Sequence, residues 1–222
     1  MRKRAKPEAL VIDPWDGEEI LSWARGNQCH LVGVLNTHGH ADHVRGNEVL
    51  LNHGTPLVRS HPWLQVVSVP GHTLDHVAFL LIDGDEQHFF AGDTLFQSGV
   101  GNCKGGGDTQ QLFQTVQRLH TLLAEHTFIH PGHDYLERNL AFAAHVCPKN
   151  PYVAEAQAKI PGLVTHELPP STWGEEKRRN PFLGLEDVDL RQRLNELVPD
   201  LSGVLLSDEI CFKRLRHLRD NW

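Results

Sequence analysis

The feature that most narrows what this chain can fold into is a series of short apolar runs between Ala9 and His130. They read "LVID" (10–13), "LVGVL" (31–35), "LQVVSV" (64–69), "VAFLLI" (77–82), "HFFAG" (88–92) and "TFIHPG" (127–132). Runs this short, rich in β-branched and aromatic residues and closed off by Gly, Pro or Asp, predict strands rather than helices. Between the last two the periodicity changes. From Asp108 onward, Leu112, Val116, Leu119 and Leu123 recur at helical spacing, with Asp108 as N-cap and Gln111 completing a capping box. Strands interleaved with helices predict a mixed α/β architecture. After Tyr135 the strand signals fade. "LERNLAFAAHV" (136–146) is helical, followed by the proline-punctuated "PKNP" and "LPPSTWGEEKRRNPF" and a last helical stretch. A boundary is expected near residue 150, with a catalytic domain over 1–150 and a helical, substrate-binding segment over 151–222.

Composition excludes several function classes. The chain has 222 residues and a formal charge of −7, which argues against an open nucleic-acid surface. No apolar run approaches the ~20 residues that span a bilayer. "MRKRAK" has the charge of a signal-peptide start, but "PEALVIDPWD" supplies no apolar stretch after it. Cys29, Cys103, Cys147 and Cys211 are scattered without paired spacing, the pattern of free thiols in a reducing cytoplasm. The expected partner is therefore a small molecule, with neither nucleic acid nor membrane, and oligomeric state is left open.

Histidine, at 16 residues, is the outlier, so position must separate function from abundance. In "THGHADH" (37–43), His38, His40 and Asp42 alternate along the loop leaving a predicted strand, and His43 follows directly. Three more candidates stand just past an apolar run: His72 after "VVSVPG", Asp93 after "FFAG" and His133 after "FIHPG". Strand ends of one sheet lie close together, so these residues can meet at one rim. Imidazoles and carboxylates in this proportion suit two borderline metal ions, and an aspartate can bridge two ions where a histidine cannot. His53, His61, His120 and His166 lack this setting and are read as surface or supporting residues.

"THGHADH" followed by "PGH", "AGDTLF" and "PGHDY" resembles the metallo-β-lactamase superfamily, and within it the glyoxalase II (hydroxyacylglutathione hydrolase) branch. "PPST", "EEK" and "NPF", within Pro169 to Phe182, resemble the C-terminal segment of that branch. Glu209, Phe212, Leu215, Arg216 and Asp220 resemble the tail of its bacterial members. The resemblance implies an αββα sandwich, shortened at its N-terminus, with a C-terminal helical segment. It implies two divalent ions, zinc first and iron or manganese as alternatives. His38, His40 and His72 would hold one ion, Asp42, His43 and His133 the other, with Asp93 bridging both alongside a hydroxide. The implied reaction is hydrolysis of a thioester, S-lactoylglutathione or a related hydroxyacyl-glutathione. A thiol pKa near 8.5 lets the leaving thiolate depart without a dedicated acid, whereas an amide nitrogen would need one. Asp42 is also the candidate to accept the water's proton.

Departures from the branch pattern carry expectations of their own. Glyoxalase II enzymes carry a pair of strands and a "DNY"-like motif before the segment matching "LVIDP", so an edge of the sandwich is expected to be missing. The stretch from His43 to His72 is also short, by enough to remove a strand or more. The loop "GVGNCKGGGD" lacks the "GK[ST]" of a phosphate loop and is read as a connector or a substrate-lining loop. Where relatives place a lysine and a tyrosine there for glutathione, this chain has Asn102 and Lys104. Tyr135 matches a glutathione-contacting tyrosine, Gly184 stands where a basic residue is common, and Arg178 and Arg179 read as a solvated charge run. Weak saturation by glutathione thioesters follows. Two other readings stand beside the hydrolase: a persulfide dioxygenase with a mononuclear iron site, and a non-catalytic metal-bound or RNA-binding member.

Overall fold

A computed structural model describes residues 6–160, 169–198 and 207–222; His166 lies outside the described residues. Strand β1 (Glu8–Ile12) pairs in parallel with β2 (His30–Leu35), the crossover being helix α1 (Gly17–Gly26). Asp16 caps α1 by accepting from the backbone N–H groups of Glu18 and Glu19, and Glu18 and Glu19 lie in its first turn, where the helix dipole favours acids. Short helices α2 (Ala41–Val44) and α3 (Asn47–Asn52) follow β2.

A second sheet begins with the antiparallel meander β3 (Leu64–Ser68), β4 (Val77–Asp83) and β5 (Glu86–Gly92). A two-residue pair, β6 (Leu95–Phe96) and β7 (Gly99–Val100), leads to α4 (Thr109–Leu122). The chain then returns as β8 (Phe128–Pro131), parallel to β5. Beyond β8 come α5 (Leu136–Val146), α6 (Pro151–Lys159), β9 (Ser171–Thr172), α7 (Trp173–Arg179), α8 (Val188–Leu197) and α9 (Asp208–Asp220). The order across the larger sheet is β3-β4-β5-β8-β9.

Each predicted strand is present, and α4 is capped at Asp108, whose side chain accepts from the Gln111 N–H. Leu112, Val116 and Leu119 of α4 are fully buried against Phe89, Ala91 and Ile129. Each such side chain contributes roughly 1.5–3 kcal/mol. Two features differ from the sequence reading. β9 lies in a segment with no strand signal, because two residues suffice when they only extend an existing edge. The charge run also folds inward: Arg179 pairs with the fully buried Glu176, while Arg178 lies over the Tyr152 ring.

Glu176 joins the C-terminal segment to the rest. Its carboxylate accepts from the Ser98 N–H (2.6 Å), the Ser171 hydroxyl (2.7 Å), the Arg179 guanidinium (2.7 Å) and the Asn180 amide (3.3 Å). One contiguous apolar core accordingly runs from Val69 and Phe89 through Trp173 and Phe182 to Phe212 and Leu215. At the other end, β1 has no neighbour on its free edge among the described residues. No helix among the described residues is long and apolar enough to cross a membrane.

Candidate metal centre

His38, His40, Asp42, His43, His72, Asp93 and His133 all arrive at one rim of the sandwich. His38 and His40 come from the β2–α2 turn, Asp42 and His43 from α2 itself, His72 from the β3–β4 connection, Asp93 from the end of β5 and His133 from the end of β8. They form two groups, His38/His40/His72 and Asp42/His43/His133, each with its donor atoms within 4.8 Å of one another. Asp93 lies between them: Oδ1 is 3.3 Å from His43 Nε2, and Oδ2 is 3.6 Å from His72 Nε2 and 3.5 Å from His133 Nε2.

Outer hydrogen bonds fix which ring nitrogens carry protons in the first group. His72 Nδ1 faces the Asn102 carbonyl at 2.6 Å and His40 Nε2 faces the Gly105 carbonyl at 3.2 Å, and a carbonyl can only accept. His38 Nδ1 lies 3.0 Å from the Thr37 hydroxyl, which itself donates to Asp13 Oδ2 and so must accept from the ring. The three remaining nitrogens are then bare, and they converge: His40 Nδ1 is 3.0 Å from both His38 Nε2 and His72 Nε2. Lone pairs facing one another at that distance repel unless a cation lies among them. The set fits a metal ion on this ground, and the glycine-rich loop that supplies two of the carbonyls orients the rings.

In the second group Asp13 Oδ2 accepts from His43 Nδ1 at 2.9 Å, turning Nε2 toward His133 Nε2, 3.2 Å away. Asp42 Oδ2 is 3.2 Å from the same His133 nitrogen. Asp93 Oδ1 is buried without a hydrogen-bond partner, although His43 Nε2 is near, an orphaned oxygen that an ion would satisfy.

The electrostatics divide the groups in the same way. Burial, reinforced by the charges of His76 and His43, lowers the His38 pKa to about 3, and burial lowers that of His72. Burial would lower His43 too, but its hydrogen bond to Asp13 and the charges of Asp93 and Asp13 override it and raise the pKa to about 10. Donation from the His133 ring toward the Asp93 carboxylate raises the His133 pKa against its burial. Burial opposes ionisation of Asp93, yet His133 and His43 hold its carboxyl well below the usual range.

Beside the centre is a pocket of about 280 Å³ lined by Asn102, Lys104, Tyr135, Arg138, Arg216 and Arg219, among others. The Tyr135 ring stacks on His133, with centroids 5.2 Å apart. Asn102, Lys104 and Tyr135 thus line the same pocket. The arginines of α5 and α9 were not read as site residues, and they alter the charge expected there. Arg216 pairs with Asp220 at 2.8 Å, and Arg219 donates to Asn139. The nearby charges of Arg138 and Arg216 lower the Arg219 pKa, after burial. Gly184 takes no part in this lining. Asp13 and His76 also escaped the sequence reading; the signal for each was a polar residue directly at the end of an apolar run or inside the "PGHTLDH" stretch.

With this geometry in hand, comparison with known proteins decides the family. A family model for the metallo-beta-lactamase superfamily matches residues 7–62, and one for the hydroxyacylglutathione hydrolase C-terminus matches residues 134–222. A hydroxyacylglutathione hydrolase of Nitrosococcus oceani is 34% identical over 240 residues, covering 97% of this chain and 90% of the relative. The chain belongs to the hydroxyacylglutathione hydrolase family. Membership makes it a thioester hydrolase, and the superfamily implies a divalent-metal site. Among solved structures, ETHE1 from Myxococcus xanthus aligns with TM-score 0.58 and 22% identity over 99% of this chain and 91% of its own, a likeness of fold. TTHA1623, solved in a di-iron-bound form, aligns with TM-score 0.51 and 25% identity over 78% of this chain and 88% of its own.

Proposed function

We propose that this protein hydrolyses the thioester of a hydroxyacyl-glutathione, S-lactoylglutathione first, at a centre of two divalent ions. The observation that carries the reading is the pair of converging donor groups with Asp93 between them. His38, His40 and His72 would hold one ion and Asp42, His43 and His133 the other, zinc being the first choice and iron or manganese the alternatives. Two such ions supply a hydroxide near neutral pH and polarise the thioester carbonyl.

The chain's own residues do the rest. Lys104, Arg138, Arg216 and Arg219 provide the positive field that two glutathione carboxylates require. This supports ordinary saturation by glutathione thioesters in place of the weak saturation expected from Asn102 and Gly184. Asn102 and Tyr135 border the path from that field to the metal ligands. Tyr135, stacked on His133, is the contact proposed for the glutathione moiety beside the metal ligands. The leaving thiolate departs unprotonated, so no acid is needed beside it. Asp42, with its side chain 38% exposed, is the group best placed to pass a proton to solvent. In this reading residues 1–150 carry the ions and 151–222 supply one wall of the pocket, in a cytoplasmic setting suited to the free cysteines.

Metal analysis paired with a lactoyl-glutathione hydrolysis assay tests the proposal. Two ions per active chain, with kcat/KM at least about tenfold higher for lactoyl-glutathione than for a lactoyl thioester of a neutral thiol, is the expected result. One iron per chain with oxygen uptake would replace it by the persulfide dioxygenase reading. A chain inert toward a thioester panel would replace it by the non-catalytic one.

A further inference from the structure

His76 is fully buried at the start of β4 and belongs to neither donor group. Its Nε2 lies 3.1 Å from the backbone N–H of Asp93, which can only donate, so that nitrogen carries no proton. The proton therefore resides on Nδ1, which faces the Thr94 hydroxyl at 3.3 Å; the hydroxyl in turn donates to the Val69 carbonyl at 3.4 Å. The ring plane is stacked on His38, with centroids 4.7 Å apart and planes 20° from parallel. One imidazole thus grips the backbone of the aspartate between the two groups and forms the backing of a ligand in the first. The approach is close enough that Gly92, at φ +51, could not carry a side chain: a Cβ there would lie 2.8 Å from His76 Cε1 and 2.5 Å from Thr37 Oγ1.

We propose that His76 is a positioning residue, held in its Nδ1-protonated form, that fixes Asp93 relative to His38 and thereby sets how tightly ions are held. The inference rests on the metal-centre reading above. It acts through geometry: the hydrogen bond sets the direction in which Asp93 leaves β5, and the stacked ring stops His38 from rotating about its Cβ.

The test uses the full chain freed of metal, with its fold verified by circular dichroism. Zn(II) affinity is measured by competition with a chelator, and the Co(II) form is examined by absorption. His76→Leu keeps bulk but removes the acceptor and should bind ions about 10–100-fold more weakly, with altered Co(II) bands. His76→Gln can place its amide oxygen where Nε2 was and should recover to within about threefold of wild type. Thr94→Val leaves the Nδ1 proton without its acceptor, so the ring is held by the Asp93 hydrogen bond alone, and the variant should fall between the two. Wild-type affinity and bands in all three, or a Gln variant as weak as the Leu variant, would overturn the assignment. If the Leu variant does not fold, Thr94→Val and His76→Gln decide: the first must weaken binding and the second must preserve it. A wild-type protein that takes up only one ion would sink the two-ion reading, while the ranking of variants for that ion would still judge His76.

Discussion

The two donor groups of the centre differ in how they are prepared. His38, His40 and His72 have their outer nitrogens pinned by a hydroxyl and two carbonyls, all uncharged, and burial keeps His38 and His72 neutral. His43 is pinned by a carboxylate, and acidic neighbours raise the pKa of His43 to about 10 and that of His133 in the same direction. One group waits with bare lone pairs; in the other, His43 waits with a proton. The difference teaches that similar ligand sets, built on adjacent turns, can be set for unlike binding steps by the charge of the groups behind them.

The largest way to break the comparison is to remove what the groups share. Asp93→Ala should abolish tight binding of both ions and lower kcat/KM by at least ~10³-fold; near-normal activity would mean that Asp93 joins nothing. Next, His133→Ala should cost the second group alone its ion. The variant should retain one ion per chain in elemental analysis, with activity down about 10²-fold. Loss of both ions together would show that the groups are not separable.

A pH series sharpens the contrast. Below a folded pKa of about 10, metal-free His43 carries a proton that an ion must expel, and the raised pKa of His133 acts in the same sense. Affinity at the second group should rise with pH, by up to about tenfold per unit for each proton released. His38, with a pKa of about 3, has no such proton to lose near neutrality. Chelator competition from pH 6 to 9 should therefore separate the two affinities, whereas parallel curves would contradict the assignment. The smallest expected effect is that of Gly105→Ala. A Cβ there would lie 2.7 Å from His40 Nε2, so the ring must shift; roughly a few-fold loss of affinity, confined to the first group, is expected.

Sequence alone was informative where function follows local order. The metal-ligand candidates follow strand ends directly, and strands of this composition have few alternatives, so the rim could be assembled on paper. The cationic wall was different. Arg138 and Arg219 meet there from α5 and α9, and no run or motif links positions so far apart. Only the helical spacing of Arg216 and Arg219 hinted at a common face. Asp13 and His76 were missed for another reason. A polar residue ending a strand looks like turn chemistry, and its value appears only when the ring or amide it holds is known. The inward fold of Arg179 was hidden because a charge run gives no sign of a buried carboxylate waiting for it.

That carboxylate has a consequence for how the molecule comes apart. Glu176 is fully enclosed and its partners come from the β6–β7 turn, from β9 and from its own helix. Peeling α7 away would leave the Ser98 amide and the Ser171 hydroxyl without their acceptor, a penalty of about 1–3 kcal/mol for each group left buried. Partial opening is thereby discouraged, and the wall that carries Arg216 and Arg219 should melt together with the sheet that carries Asp93. Amide hydrogen exchange would register this as a Ser98 N–H that trades its proton only when the whole chain unfolds.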